Sequence, residues 1–375
     1  MHPAAEEKIN SLRLMMSDHV GSVTFRHLIE YYGSAGEAIK HIDELAHRGG
    51  RRKPIALCPR SAAEKQLDIA DSHQVQVFCL TDSAYPRLLR QTPDAAPVLF
   101  VRGFSSVFSK PSVALVGTRN ASLNGKALAR KIAFDLASAG YNVVSGLAHG
   151  IDRAAHVGAL ACTGQGAATT AVLGTPVDTV YPPENQDIYD QIAAGGCLVS
   201  EFPFGSKMAP HNFPRRNRTI AGLSRATVVI EAQLRSGSLI TAHLAADYGR
   251  DVLAVPGSPV DPRSEGPNGL IREGASLVSS AADIIAVLEA ADKFNLKQTV
   301  SDKAFTPAPF DEAVLTDARQ MVLAGLGPDV VLVDRLIQET GLDARIVNII
   351  LVELALAGRL ERHPGGGVSL IYNVE

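Results

Sequence analysis

The sequence predicts an α/β doubly wound sheet, preceded by a small helical region and followed by a winged helix. Three observations predict it. From Ser112 onward apolar strand patterns alternate with helix patterns, as in a parallel sheet. Glycine-containing loops follow three of those strands, at Gly117-Thr118-Arg119, Ser145-Gly146 and Ser236-Gly237-Ser238, where such sheets bind ligands. Residues 312–372 read as three helices and a hairpin, a relative of the helix-turn-helix.

The elements follow in order. Residues 7–50 carry apolar positions at helical spacing (Ile9, Leu12, Met15; Leu28, Ile29, Tyr32; Ile39, Ile42, Leu45), punctuated by Gly21, Gly33 and Gly49. This N-terminal helical domain, 1–60, has a SAM or helix-hairpin-helix-like character, but His19-Val20-Gly21-Ser22 lacks the second glycine that would free a hairpin backbone for phosphate. A lead-in, 61–110, holds a helix at 62–72 and strands at 76–80 and 98–101. Strands are expected at 113–116, 141–145, 169–173, 197–200, 226–232 and 252–255, with helices at 125–139, 151–161, 239–248 and 281–291. This main domain spans 61–291. A polar, proline-containing linker, 292–311, leads to the winged helix, 312–375.

Composition narrows the function classes. A chain of 375 residues predicts two or three domains. Its net charge of −3 confines any polyanion site to a local patch. The four cysteines form no CxxC, so neither a metal site nor a disulfide framework is expected. The N-terminus lacks a signal-peptide layout and no apolar run is long enough to span a bilayer, so a cytoplasmic protein without membrane contact is expected. Tryptophan is absent, which argues against an extensive base-stacking platform.

The chemistry concentrates in Phe213–Gly257. Arg215, Arg216, Asn217 and Arg218 read as a basic loop, and Ser236-Gly237-Ser238 heads a helix whose free N–H groups attract an anion. Arg119 directly follows its strand and is placed to grip phosphate bidentately. Arg215, Arg216 and Arg218 cannot all point one way, so some face ligand and some brace the loop. Asn217 either bonds ligand or holds the turn. Phe213 either stacks on a base or packs in the core, and Lys207 and His211 belong to the rim. Asp152 and His156, four apart on one helix, read as a structural pair. Glu201 and Glu231 read as partners for the arginines. There is no GxGxxG and no GxxxxGK[ST], so a dinucleotide site and a P-loop both lack their fingerprint, and no cofactor is expected.

The winged helix carries five basic residues (Arg319, Arg335, Arg345, Arg359, Arg362) against nine acidic ones (Glu312, Asp317, Asp329, Asp334, Glu339, Asp343, Glu353, Glu361, Glu375). A duplex reader needs a positive face. Its third helix offers mainly Arg345 and Asn348, so a protein-contact or regulatory role is favoured over DNA contact.

With these runs in place, the chain resembles the DNA-processing protein A (DprA, or Smf) family. The matching runs are ALVGTRNAS (114–122), SGLAHGIDRAAH (145–156), VLGTPVDTVYPPEN (172–185), SEFPFG (200–205), FPRRNRTIAGLS (213–224), the stretch 228–257 and GPNGLIREGA (266–275). Pro176 stands where the family's VLGxG run leads one to expect glycine. The resemblance implies a modified Rossmann-like fold and a non-enzymatic, single-stranded DNA-binding protein. It implies protection of incoming DNA in natural transformation, loading of the RecA recombinase, and a homodimer. It implies Arg119 as the phosphate-gripping arginine, joined by Arg216, Asn217 and Arg218. The competing expectation is a phosphoribohydrolase-like enzyme acting on a nucleoside monophosphate, with Glu201 or Glu231 aimed at the ribose.

Overall fold

The computed structural model describes residues 3–162, 169–295, 310 and 312–371. The chain divides into two compact units, residues 66–300 and residues 1–65 with 301–375. Most of the expected linker lies outside the described residues.

The smaller unit begins with α1 (Pro3–Met15), α2 (Ser22–Tyr32) and α3 (Ala35–Arg48). Leu12, Phe25, Leu28, Ile42 and Leu45 are buried, as their helical spacing predicts. Helix α4 (Arg60–Ser72) crosses the division between the units.

Among the described residues the larger unit holds nine strands: β1 (Val75–Cys79), β2 (Val98–Gly103), β3 (Ser112–Val116), β4 (Asn142–Ser145), β5 (Thr169–Leu173), β6 (Cys197–Ser200), β7 (Ala226–Val229), β8 (Asp251–Ala254) and β9 (Ser276–Leu277). Their order is β1-β2-β6-β5-β4-β3-β7-β8-β9. Strands β6 to β9 in that order pair in parallel, and β1 and β2 add an antiparallel edge. After the short α5 (Arg87–Arg90), the connecting helices are α6 (Leu123–Ser138), α7 (Ile151–Leu160), α8 (Gln186–Gly195), α9 (Asn212–Leu223), α10 (Gly237–Asp247), α11 (Glu265–Arg272) and α12 (Ala281–Asn295).

Alternation within the strands separates the two faces. Val113, Leu115, Val143 and Val228 pack with Ile132, Leu136, Ile151 and Ile284 of α6, α7 and α12. On the opposite face α9 packs on β3, β4 and β5, and α10 on β7 and β8. The chain runs outward from β3 to β6, then crosses back to β7 on the other side of β3. Paired at Val116↔Val229, β3 and β7 therefore flank the topological switch point, and the loops leaving both strands open into one crevice.

One expectation is corrected here. Residues 215–218 are not a loop but part of α9. Pro214 lies in the first turn, where its missing N–H would have had no intrahelical partner. Asn212, Arg216, Thr219, Ile220 and Leu223 are buried at helical spacing, but three of the five are polar, which hid the apolar stripe. Helix α11 escaped notice because Gly266, Pro267 and Gly269 read as turn residues.

The winged helix consists of α13 (Glu312–Ala324), β10 (Val331–Leu332), α14 (Val333–Thr340), α15 (Ala344–Leu356), β11 (Leu360–His363) and β12 (Gly367–Leu370), the strands ordered β10-β12-β11. Helix α15, the position of a base-reading helix, packs against α13 and also against α2 and α3. The approach is close: a Cβ on Gly49 would lie 2.0 Å from the Glu353 carbonyl oxygen. Glu353 is itself buried and receives two hydrogen bonds from Arg319, at 2.7 and 2.9 Å. Arg359 donates to the Gly49 carbonyl at 3.1 Å. An apolar α15 is therefore accommodated by this chain's own N-terminal helices.

Candidate functional site

A cleft of about 400 Å³ opens at the switch point. Gly117, Thr118 and Arg119 from the β3 loop form one wall, and Ser236, Gly237 and Ser238 at the start of α10 form another. Phe213, Arg216 and Asn217 from α9 line it between them. An adjoining cavity of about 240 Å³ shares Arg119, Phe213 and Arg216 and adds Gly146, His149 and Tyr181. Three loops far apart in sequence thus converge because each leaves the carboxyl end of a parallel strand.

Each wall is held by identifiable bonds. The Thr118 N–H donates to the Glu231 carbonyl at 2.6 Å, joining the β3 and β7 loops. The Ser236 hydroxyl lies 2.7 Å from the Ser238 hydroxyl and accepts from the Ser238 N–H, capping α10. Asn217 donates to the Gly237 carbonyl at 3.1 Å, so α9 positions the α10 entry. Ser145 is fully buried and donates to the Leu115 carbonyl at 2.6 Å, a packing role.

The arginines divide by geometry. Arg119 is exposed, has no hydrogen bond or ion pair among the described residues, and lies 5.8 Å above the Phe213 ring. Phe213 is half-buried, in contact with Tyr181 at 5.3 Å between ring centres, and faces both cavities. Arg216 is buried; its guanidinium donates to the carbonyls of Gly146 and Val172 and to the Asn217 amide oxygen. Burial pushes its pKa down, and the nearby Asp152 carboxylate opposes that. A Cβ at position 146 would stand 2.3 Å from the Arg216 guanidinium, so any side chain there would displace it from its carbonyl partners.

Arg218 does not line the cleft. Burial works to lower its pKa, but buried Glu201 together with Asp94 and Tyr248 leaves it raised. Arg215 reaches the same carboxylate at 3.4 Å and lies over the Phe202 ring, half-exposed. Lys207 is exposed on the preceding loop, outside both cavities.

The other carboxylates and histidines are also committed. Glu231 accepts from the Ser122 N–H at 2.9 Å and from its hydroxyl, at the N-terminus of α6. Asp152 and His156 do not form the expected pair. Asp152 accepts from the N–H groups of Gly146 (3.2 Å) and Ala148 (3.4 Å), and burial raises its pKa. His156 bonds Thr169 at 2.8 Å, and burial pushes its pKa down to about 3. Sequence reasoning missed Gln233, Arg235 and Thr241, which also line the cleft. The only available signal was their position beside Ser236-Gly237-Ser238.

Comparison with known proteins places this geometry. The family model described as DNA recombination-mediator protein A matches residues 76–289. A DprA winged helix domain matches residues 306–366, and a DprA-like N-terminal HHH domain matches residues 5–68. The protein Smf of Escherichia coli K12 is 36% identical over 313 residues, covering 83% of this chain and 82% of that one. The X-ray structure of DNA processing protein A from Streptococcus pneumoniae aligns with a TM-score of 0.62 at 34% identity, covering 75% of this chain and 96% of that one. DNA processing protein A from Helicobacter pylori, described for its single-stranded DNA binding mode, aligns with a TM-score of 0.52 at 28% identity, covering 58% of this chain and 97% of that one. With a family model matched over more than half its length and relatives similar across most of it, the chain belongs to the DNA recombination-mediator protein A family.

Proposed function

We propose that this protein binds single-stranded DNA in the switch-point cleft, as a DNA-processing protein of natural transformation and without a catalytic step. The observation that carries the reading is Arg119: an exposed, unpaired guanidinium beside an aromatic ring, at a cleft built from three loops and a helix N-terminus. A guanidinium takes phosphate bidentately, and a ring beside it accepts a base. The Helicobacter pylori relative's description supports the same ligand. Arg216 and Asn217 contribute both to the lining and to its rigidity. Arg215 and Lys207 serve the rim, and Arg218 braces α9 through Glu201.

The nucleotide-cleaving alternative needs a carboxylate aimed at a ribose. Glu201 is buried with Arg218 and Glu231 is bound to Ser122, the cap of α6, and neither lines the cleft. The proposed organisation is an N-terminal helical domain (1–60), a DNA-binding domain (61–291) and a winged helix (312–375). We further propose a cytoplasmic homodimer that protects incoming strands and passes them to a RecA-type recombinase. Among the described residues no helix is long and apolar enough to cross a membrane.

Filter binding of single- against double-stranded oligonucleotides across a salt series tests the reading. Preference for single strands is expected, with affinity falling linearly in log salt. Arg119→Ala is expected to weaken binding about tenfold or more, roughly 1.4 kcal/mol, with an unchanged thermal melt. Unchanged affinity would remove the cleft from consideration.

A further inference from the structure

Beyond the cleft, α6 and α7 border a groove of about 420 Å³ lined by Arg119, Lys126, Arg130, His149 and Arg153. Arg119 and His149 also line the cavity beside Phe213, so the groove continues directly from the cleft. We propose that this groove is a second phosphate-binding track, carrying the sugar–phosphate backbone of the strand onward from Arg119 past Lys126 and Arg130. The proposal rests on the single-stranded DNA reading of the cleft.

The charges support a linear anion over a compact one. Lys126 and Arg130 stand four residues apart on one face of α6, about 6 Å along its axis. That spacing is comparable to the phosphate repeat of an extended strand. Neither side chain has a hydrogen bond or ion pair among the described residues. Their neighbour Lys131, by contrast, is paired with Asp135 at 2.7 Å. Arg153, on the facing helix, is held by Asp187 at 2.6 and 2.8 Å and by Asn185 at 2.9 Å. Its charge is therefore largely matched, and it forms a wall. His149 lies 3.6 Å from Glu184 at the junction of the two cavities. The net excess of positive charge falls on Arg119, Lys126 and Arg130. Among the described lining residues there is no Phe, Tyr or Trp, so the groove would hold backbone and leave bases turned outward, without sequence preference.

The test compares two lengths of strand on the full chain. An oligonucleotide of about six nucleotides fills the cleft, and one of about twenty reaches the groove as well. The double variant Lys126→Ala, Arg130→Ala is expected to weaken the longer strand at least tenfold. Its salt slope should fall by about 1.4, the loss of two phosphate contacts at ~0.7 each. Affinity for the short strand should stay within twofold. Arg119→Ala should weaken both lengths. If the double variant binds both lengths as the parent does while Arg119→Ala still fails, the groove is overturned and the cleft stands. If Arg119→Ala leaves both lengths unaffected, cleft and groove fall together. A matching circular dichroism melt for the double variant excludes misfolding, since both side chains lie at the surface.

Discussion

Arg216 is a charged side chain used as a strut. Its donors take the carbonyls of Gly146, just past β4, and Val172, near the end of β5. Gly146→Ala would place a methyl group against that guanidinium and force it to move. The expected cost is roughly 1–3 kcal/mol of stability, with weaker DNA binding by the folded fraction, measured by urea melts and filter binding. Arg218 makes the contrasting case. Removing it leaves buried Glu201 only the longer 3.4 Å contact with half-exposed Arg215, so Arg218→Ala should cost about 3 kcal/mol. Binding per folded molecule should change far less than in Arg119→Ala. Equal binding losses in the two variants would show that Arg218 also meets the ligand.

At the scale of elements, helix ends set the cleft. Ser122 caps α6 by accepting from the Gly125 N–H at 2.8 Å, and Glu231 holds Ser122 from the β7 side. Ser122→Ala should therefore lose about 1 kcal/mol of cap energy and also loosen the β7 loop, read as a lower melting temperature. Helix α15 behaves differently from the base-reading helix of a winged-helix DNA binder, because α2 and α3 cover it. The Gly49→Val substitution would drive a branched side chain into the Glu353 backbone. Protease sensitivity of the winged helix should then rise sharply while the larger unit stays resistant. Unchanged cleavage would mean that the contact between α3 and α15 contributes little to holding the domain folded.

Across the whole molecule, pH dependence follows from groups buried under the cleft. His156 stays neutral in the folded state, with a pKa near 3, but binds a proton near pH 6.5 when unfolded. Between those values the unfolded state holds more protons, so stability falls as pH is lowered through that window, by on the order of 1 kcal/mol per pH unit. Asp152 opposes this: burial raises its pKa, so the folded state gains stability as pH falls and the carboxyl is protonated above its ordinary range. Urea midpoints at pH 7 and pH 5 should differ, and the His156→Gln variant should flatten the difference. Parallel slopes in parent and variant would assign the pH dependence elsewhere.

Strand existence and most strand ends were legible in the amino-acid sequence, because apolar or β-branched runs such as Val113–Val116 and Thr169–Leu173 admit few other placements. So were the three loops, since glycine and serine after a buried strand leave few alternatives. Helix α9 was not legible, because its buried face uses Asn212 and Arg216, and the burial of Arg216 is stable only once the Gly146 and Val172 carbonyls of the β4 and β5 segments arrive. For the same reason the sequence named the basic residues of the site without sorting them. Local chemistry determined that this chain forms a doubly wound sheet with glycine- and serine-bearing loops at the carboxyl ends of its strands. Only the tertiary structure decided that Arg216 and Arg218 turn inward to buried acceptors while Arg119 stays free. That choice depends on which oxygen atoms the fold brings within reach of each guanidinium.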